Sequence, residues 1–279
     1  MTVLFRFFSV WPLWALHSLG AALGWVVFAL SPTYRRHLLA HAALAGVSRA
    51  DALASVAEAG KMVAELPRLW MGAPVPVHMT GREHIDAAQA AGQGLLFFTP
   101  HMGCFEITAR AYAELCGQAP GRAITVLFRP PRQTWLRQVV AGARQGPGLE
   151  TAPTTLAGVK QLLKALRSAA AVGLLPDQVP PEGQGVWAPF FGRPAYTMTL
   201  SARLAQTPRT TVLLVWGERL SWGRGYRVHV SPWDAAPLPT DPVAACTAIN
   251  AAMERLVLAC PRQYLWGYAR YKTPRGGAE

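Results

Sequence analysis

Short apolar runs that alternate with stretches of helical periodicity constrain the fold of this chain most strongly. Four runs, residues 95–98, 123–128, 172–175 and 211–216, are short, and several are bounded by glycine or proline, which is typical of buried strands. Residues 106–116, 156–171 and 199–206 between them carry the spacing of helices. Strands that alternate with helices form βαβ units, so we predict an α/β fold with a largely parallel central sheet flanked by helices.

Three polar residues of different chemistry follow successive predicted strands. His101 comes after the first run, Arg129 after the second and Asp177 after the third. Each alone is most simply an ordinary loop or surface residue. Because the carboxyl ends of parallel strands meet at one edge of the sheet, where ligands bind in open α/β folds, the three together indicate a site.

A carboxylate at Glu106, one turn into the helix that follows His101, completes a candidate general base. Such a carboxylate holds one ring nitrogen of the histidine protonated and leaves the other to accept a proton from a hydroxyl. We therefore predict that Glu106 orients His101. Arg129, or backbone N–H groups at the start of the helix, would meet an oxyanion. Arg129 is alternatively a phosphate ligand. Asp177 either pairs with Arg129 or binds sugar hydroxyls.

Three further blocks in the same order carry a resemblance to a known family. They are Pro176-Asp177-Gln178, the run Pro189-Phe190-Phe191-Gly192-Arg193-Pro194-Ala195, and the closing segments Gln263-Tyr264-Leu265-Trp266 and Arg270-Tyr271-Lys272-Thr273. With His101, Glu106 and Arg129-Pro130, they make the chain similar to the late acyltransferases of lipid A biosynthesis, the lauroyl/myristoyl acyltransferases of Gram-negative bacteria. The similarity extends over nearly the whole chain.

This resemblance implies a fold like that of the glycerol-3-phosphate acyltransferases and a complete set of roles. An acyl chain would pass from a thioester, with acyl carrier protein as donor, to a hydroxyl of a lipid A precursor or related glycolipid. The implied catalytic residues are His101, Glu106, Arg129 and Asp177, and the implied substrate-binding residues are Arg129, Gln178, Phe190, Phe191 and Arg193. Acyl-chain length would depend on a pocket among residues such as Met102, Phe190, Phe191 and Met198. No metal or organic cofactor is required.

Other interpretations of the same residues remain open. One is an acyltransferase for a different lipid acceptor, such as a lysophospholipid, and another is a membrane scaffold with a decayed site. Cys104, inside the His101 segment, is an alternative nucleophile, although a buried cysteine is usually a small apolar filler. The four cysteines form no C-x-x-C pair, which favours reduced thiols and no zinc site.

Residues 7–30 form an apolar stretch that is rich in tryptophan and phenylalanine. As one helix it would measure about 36 Å, enough to cross a bilayer core of about 30 Å. We predict a membrane anchor over residues 1–40 and a catalytic domain over 41–279. Arg35-Arg36 would keep that domain on the cytoplasmic side of the inner membrane. A signal peptide and a hairpin packed on the domain or lying in the interface are the alternatives, and Pro12 favours a broken helix.

The balance of charge bears on the partners of the chain. With 27 Lys and Arg against 15 Asp and Glu, the net charge is +12. A basic surface suits anionic lipid headgroups, an acidic carrier protein or nucleic acid. The sequence has no zinc-finger, RNP-like or helix-turn-helix signature, so we predict no nucleic-acid partner.

Overall fold

A mostly parallel sheet runs through the part of the chain that the computed structural model describes, residues 2–128, 146–234, 237–274 and 276. Its strands are β1 (Val77–Thr80), β2 (Gly94–Phe98), β3 (Ile124–Phe128), β4 (Leu149–Pro153), β5 (Ala171–Leu174), β8 (Thr210–Arg219) and β9 (Tyr226–Pro232), and β6 (Gly185–Phe190) and β7 (Arg193–Met198) form a separate antiparallel hairpin. The order in the sheet is β1-β9-β8-β2-β5-β3-β4. All neighbours are parallel except β8 and β9, which confirms the predicted fold class.

Helices cover both faces of this sheet. Within the described residues they are α1 (Thr2–Ser9), α2 (Leu13–Leu30), α3 (Pro32–Leu44), α4 (Arg49–Ala64), α5 (Leu66–Met71), α6 (Arg82–Ala90), α7 (Phe105–Leu115), α8 (Leu156–Arg167), α9 (Thr199–Ala205) and α10 (Pro242–Ala259). The helices and strands predicted between residues 95 and 216 all occur, with ends that differ by a few residues. Strands β1 and β4 were not predicted, because each is only four or five residues long and carries polar side chains.

The apolar core lies in two layers, one on each face of the sheet. Successive side chains of a strand point to opposite faces. Leu96 and Phe98 of β2 therefore join the layer that contains α10, whereas Leu95 and Phe97 join the layer under α6 and α7. All five residues of β2 are buried, as expected for a central parallel strand covered on both sides.

The N-terminal apolar stretch is not one helix. Helix α1 ends at Ser9 and α2 begins at Leu13, with Pro12 at the junction, where proline is favoured because it lacks an N–H. By length and composition, α2 is long and apolar enough to cross a membrane, and so is α10, 44% of which is buried inside the protein. The expected domain boundary at residue 40 falls inside α3, and the division at that point remains a prediction.

Glycines bring α2 into direct contact with α4. A Cβ added at Gly60 of α4 would overlap the carbonyl oxygen of Gly20 in α2, and one added at Gly24 would overlap the carbonyl oxygen of Val56. Small residues let two helix backbones approach this closely. Helix α2 is thus packed along one face against the rest of the protein.

Gly60→Ala is expected to destabilise the protein by about 1–3 kcal/mol, the usual cost of overpacking a well-packed contact. At an unconstrained helix position the same change would stabilise by about 1 kcal/mol, because alanine is the better helix former. The sign of the change in stability therefore shows whether the backbones of α2 and α4 meet at Gly60. Thermal unfolding of the purified protein in detergent measures it, and a rise in Tm would show that α2 and α4 do not meet at Gly60.

Candidate active site

His101 and Asp177 meet at the carboxyl edge of the sheet. Strands β2 and β5 are neighbours, so the segments that follow them lie side by side. His101 Nδ1 lies 2.7 Å from Asp177 Oδ1, and the backbone N–H of His101 donates to Asp177 Oδ2 over 2.8 Å. The Asp177 side chain is 2% exposed and that of His101 is 17% exposed. A buried carboxylate thus fixes both the backbone and the ring of a histidine that solvent can reach.

The carboxyl group of Asp177 is held in its ionised form. Burial alone would raise its pKa, but the charge of His101, the two hydrogen bonds from that residue and the charge of Arg270 together lower it below the ordinary value. An ionised carboxylate only accepts hydrogen bonds, so Nδ1 of His101 carries the proton in this pair. In its neutral form, the ring with this proton on Nδ1 presents Nε2 as a proton acceptor, which is the arrangement of a general base.

The structure places a carboxylate other than Glu106 at Nδ1 of His101. We predicted that Glu106 orients the ring and that Asp177 binds Arg129 or sugar hydroxyls, yet the carboxylate at Nδ1 is Asp177. Glu106 lies in the first turn of α7, where its Oε2 accepts a hydrogen bond of 3.3 Å from Trp70 Nε1. The reason lies in the sheet, since adjacent parallel strands place residues far apart in sequence side by side. A catalytic role for Glu106 stays a prediction.

The backbone of the loop after His101 is fully engaged. The N–H groups of Met102, Gly103 and Cys104 donate to the carbonyl oxygens of Pro100, Gln263 and Gly217, each over 2.8 Å. Together with the His101 amide, these donors are occupied within the fold. An oxyanion would therefore have to be met from the first turn of α7 or by Arg129, which lies outside the described residues.

A buried ionic network fastens the same loop to the N-terminal helices. Arg219, at the end of β8, donates to both oxygens of Glu65 over 2.8 and 2.7 Å, to Glu58 over 2.7 Å and to the carbonyl oxygen of Gly103 over 2.9 Å. Glu65 also accepts from the Tyr226 hydroxyl over 2.9 Å and lies 3.0 Å from His17 Nε2 of α2. One guanidinium therefore links α2, α4 and the loop that follows His101.

Two pKa shifts follow from this network. Burial would raise the pKa of Glu65, but the charge and hydrogen bonds of Arg219, with those of His17, lower it to about 2. Burial, reinforced by the charge of Glu65, raises the pKa of the Cys104 thiol well above its usual value. A protonated, buried thiol is a poor nucleophile, which argues against the alternative that Cys104 attacks the substrate.

An apolar cavity opens beside His101 and runs beneath the sheet. It is partly open to solvent, and about 80 Å³ of it is accessible to the centre of a water molecule. Glu106 and Phe105 lie in its lining, and the Phe105 ring centroid is 4.9 Å from that of His101. The rest of the lining consists mainly of side chains of the sheet and of α6 and α7, among them Ile85, Phe97, Tyr112, Ile124, Val126 and Leu149. A concave site that is lined mainly by apolar side chains, with a few polar groups, is typical of ligand sites.

The other predicted substrate-binding residues lie away from this cavity. Phe190, Phe191 and Arg193 belong to the β6–β7 hairpin, on the opposite side of the sheet. Phe190 is 2% exposed and packs on Phe191, and the Arg193 guanidinium stacks on the Tyr271 ring at 4.8 Å. Gln178 is half-buried directly after Asp177. Their roles in substrate binding stay predictions.

The acyl-length residues expected from the sequence are also placed elsewhere. Met102, Phe190, Phe191 and Met198 contribute to the core layer on the α10 side of the sheet, and none of them lines the cavity beside His101. Sequence reasoning did not identify the residues that line this cavity, because the lining depends on which strand face α6 and α7 cover. It also missed Arg219 and Glu65, although each is a charge next to apolar residues, a signal that could have marked a buried pair.

Comparison with known proteins gives one consistent family. Residues 51–273 match the model of the bacterial lipid A biosynthesis acyltransferases. A lipid A biosynthesis lauroyltransferase of Escherichia coli is 27% identical over 201 residues, which cover 70% of this chain and 62% of that relative. A lipid A biosynthesis acyltransferase of Haemophilus influenzae is 24% identical over 71% of this chain and 60% of its own length. The chain thus spans about three fifths of the length of these curated relatives.

Proposed function

The chain belongs to the bacterial lipid A biosynthesis acyltransferase family, and on that premise we propose that it transfers a fatty acyl chain from a thioester to a hydroxyl of a lipid A precursor. The single observation that carries this proposal is the pairing of His101 with Asp177 next to the apolar cavity, whose lining includes Phe105, the ring neighbour of His101. A general base beside a long apolar pocket is what a reaction between an acyl thioester and an alcohol requires.

The reaction follows from the atoms that this site presents. Nε2 of His101 removes the proton from the acceptor hydroxyl as its oxygen attacks the thioester carbon. Asp177 keeps the ring in the tautomer that leaves Nε2 free and stabilises the imidazolium that forms. Collapse of the tetrahedral intermediate forms the new ester and expels the thiolate, which takes up the proton from His101. No metal or organic cofactor takes part in these steps.

The cavity would hold the hydrocarbon chain of the donor. Its lining combines Glu106 with many apolar side chains, which match a polar thioester followed by methylene groups. We further propose acyl carrier protein as donor, attachment to the inner membrane and a catalytic domain on the cytoplasmic side. The net positive charge of the chain supports binding both to an acidic carrier protein and to an anionic membrane.

The proposal is tested with purified protein, an acyl thioester and a lipid A precursor in detergent micelles, with the products identified by mass spectrometry. A precursor whose mass increases by one acyl group supports the proposal. A lysophospholipid is offered as a second acceptor in the same assay. Acylation of that lipid alone would reassign the acceptor, whereas an unchanged precursor and lysophospholipid with several thioesters would contradict acyl transfer.

Changing Ile124 is expected to change the preferred acyl-chain length. Ile124 lines the cavity from β3, where it pairs with Leu149 of β4. It lies two residues further from the carboxyl edge of the sheet than Val126, which lines the cavity level with Gly173. Ile124→Phe would fill the deep end and favour shorter chains, and Ile124→Ala would favour longer ones. Since one methylene in an apolar pocket is worth about 10-fold or more in discrimination, kcat/KM ratios between thioesters should shift by about that factor.

Ile249→Ala is the matched control for these variants. Ile249 is fully buried in α10, on the other side of the sheet. Its substitution by alanine removes the same atoms but leaves the lining of the cavity unchanged. The ratio of kcat/KM values between two chain lengths does not depend on the folded fraction. An Ile124→Ala variant with the same ratio as Ile249→Ala would show that the acyl chain lies elsewhere.

A further inference from the structure

The N-terminal helices present a wide apolar surface that nothing in the described chain covers. Phe7 and Val10 at the end of α1, and Trp14, Trp25 and Leu30 of α2, are 45–78% exposed. The opposite side of α2, with Leu16, His17, Gly20 and Gly24, is buried against the protein. An exposed apolar patch of this extent marks a binding surface, because soluble proteins rarely leave one open.

A second element extends this surface. Trp222 lies at the tip of the β8–β9 hairpin, in the short turn Ser221–Gly223, and is 87% exposed. Its φ of +61° is a left-handed conformation, which a bulky residue adopts at a cost. The next residue, Gly223, lies so close to the backbone of Trp14 that a Cβ there would overlap it. The turn is therefore seated on the start of α2, and Trp222 lies beside the exposed face.

The N-terminal segment that carries most of this surface has charges of one sign. Before Asp51 the chain contains no acidic residue, while Arg6, Arg35, Arg36 and Arg49 are basic. Arg6 and Arg36 are exposed, and so is Arg224, two residues after Trp222. Apolar and tryptophan side chains bordered by arginines are characteristic of surfaces that lie in the interface of an anionic bilayer. A protein partner would more commonly be met by a rim of mixed charge.

The packing of α2 decides how such a surface meets the bilayer. A helix that spans a membrane alone is surrounded by lipid, whereas α2 has one face against α4 and holds His17 3.0 Å from the buried Glu65. Inserting it upright would carry the attached domain into the hydrocarbon. A helix with one covered face and one apolar face can lie along the interface instead.

We propose that the exposed faces of α1 and α2 together with Trp222 form one lipid-binding face, which seats the protein on an anionic bilayer with α2 lying along its surface. The hairpin tip thus acts as a second point of attachment, remote in sequence from the N-terminal helices. Two points of attachment fix the tilt of the domain on the membrane, which a single helix does not. This inference deepens the membrane part of the proposed function, but not its chemistry.

The experiment compares Trp222→Ala with Trp187→Ala in the full chain. Trp187 is a matched control, because it is 47% exposed on the separate β6–β7 hairpin. Binding to vesicles of phosphatidylcholine, with and without phosphatidylglycerol, is measured by co-sedimentation after detergent removal. We expect Trp222→Ala to weaken partitioning about tenfold, Trp187→Ala to stay within about twofold of wild type, and phosphatidylglycerol to strengthen binding of all three proteins.

A second measurement keeps the result independent of folding and of activity. Lipids brominated near the headgroup quench tryptophan fluorescence at the interface, so wild type should lose more fluorescence than Trp222→Phe, and Trp187→Phe should match wild type. Neither assay contains an acyl donor, so both outcomes stand whether or not acyl transfer is found. Equal partitioning or quenching for the two tryptophan positions would overturn the proposal, as would a lipid-free dimer that Trp222→Ala dissociates.

Discussion

His101→Ala is expected to lower turnover by about 10²–10⁴-fold, the usual contribution of a general base. Asp177→Asn should approach the same loss. Asparagine has one acceptor oxygen, while Asp177 accepts both from the His101 backbone N–H and from Nδ1. The side-chain NH₂ group of the asparagine would face one of these two donors. If it faces the ring, it favours the tautomer that carries the proton on Nε2, and Nε2 can then no longer accept a proton. Steady-state kinetics with the thioester and lipid acceptor measure both variants.

Glu106→Gln separates the geometry of the structure from the pairing expected from the sequence. If Asp177 orients the ring, this variant should stay within about tenfold of wild type and change KM more than kcat, because Glu106 lines the cavity. If Glu106 orients the ring, the order reverses. The turnover of Glu106→Gln would then be close to that of His101→Ala, and the turnover of Asp177→Asn close to that of wild type. His78→Ala, at an exposed position of β1, is the control for losing a histidine.

The sequence predicted what depends on local pattern. The four apolar runs became β2, β3, β5 and β8, because a run that is covered on both faces needs only apolar side chains of strand length. His101 and Asp177 could be assigned to one edge, since consecutive βαβ units place their strand ends together. Their direct contact was missed, because it depends on β2 and β5 being neighbours, and strand order is not written in any local pattern.

What could not be predicted is the pairing between distant segments. The Glu65–Arg219 contact joins residues 154 positions apart, and it exists only because β8 ends beside the junction of α4 and α5. The cavity is likewise a property of the space that α6 and α7 leave beneath the sheet. The break at Pro12 was foreseeable, because the proline ring disfavours a continuous helix. The glycine contact between α2 and α4 was not foreseeable, because it depends on which faces of the two helices pack together.

Glu65→Gln is expected to cost about 3–5 kcal/mol of stability at neutral pH, because removing one partner leaves a buried charge on Arg219 without its main counter-ion. The sign of the pH dependence follows from the lowered pKa of Glu65, about 2 against an ordinary 4.5. Ionised Glu65 contributes its full stabilisation above the unfolded-state value, and this contribution is lost as the pH falls through the folded-state value. The difference between wild type and variant should therefore be constant near neutrality and shrink between about pH 4.5 and 2.

Chemical unfolding in detergent across that range measures the difference, with Asp234→Asn as the control. Asp234 pairs with Arg255 at an exposed position, where an ion pair is worth about 0–1 kcal/mol, so its variant should follow wild type. The same Arg219 guanidinium binds the carbonyl oxygen of Gly103, two residues after His101. Glu65→Gln should consequently lower turnover as well, in the fraction that stays folded. A variant as stable as wild type at neutral pH would mean that the buried network does not hold the N-terminal helices to the loop that follows His101.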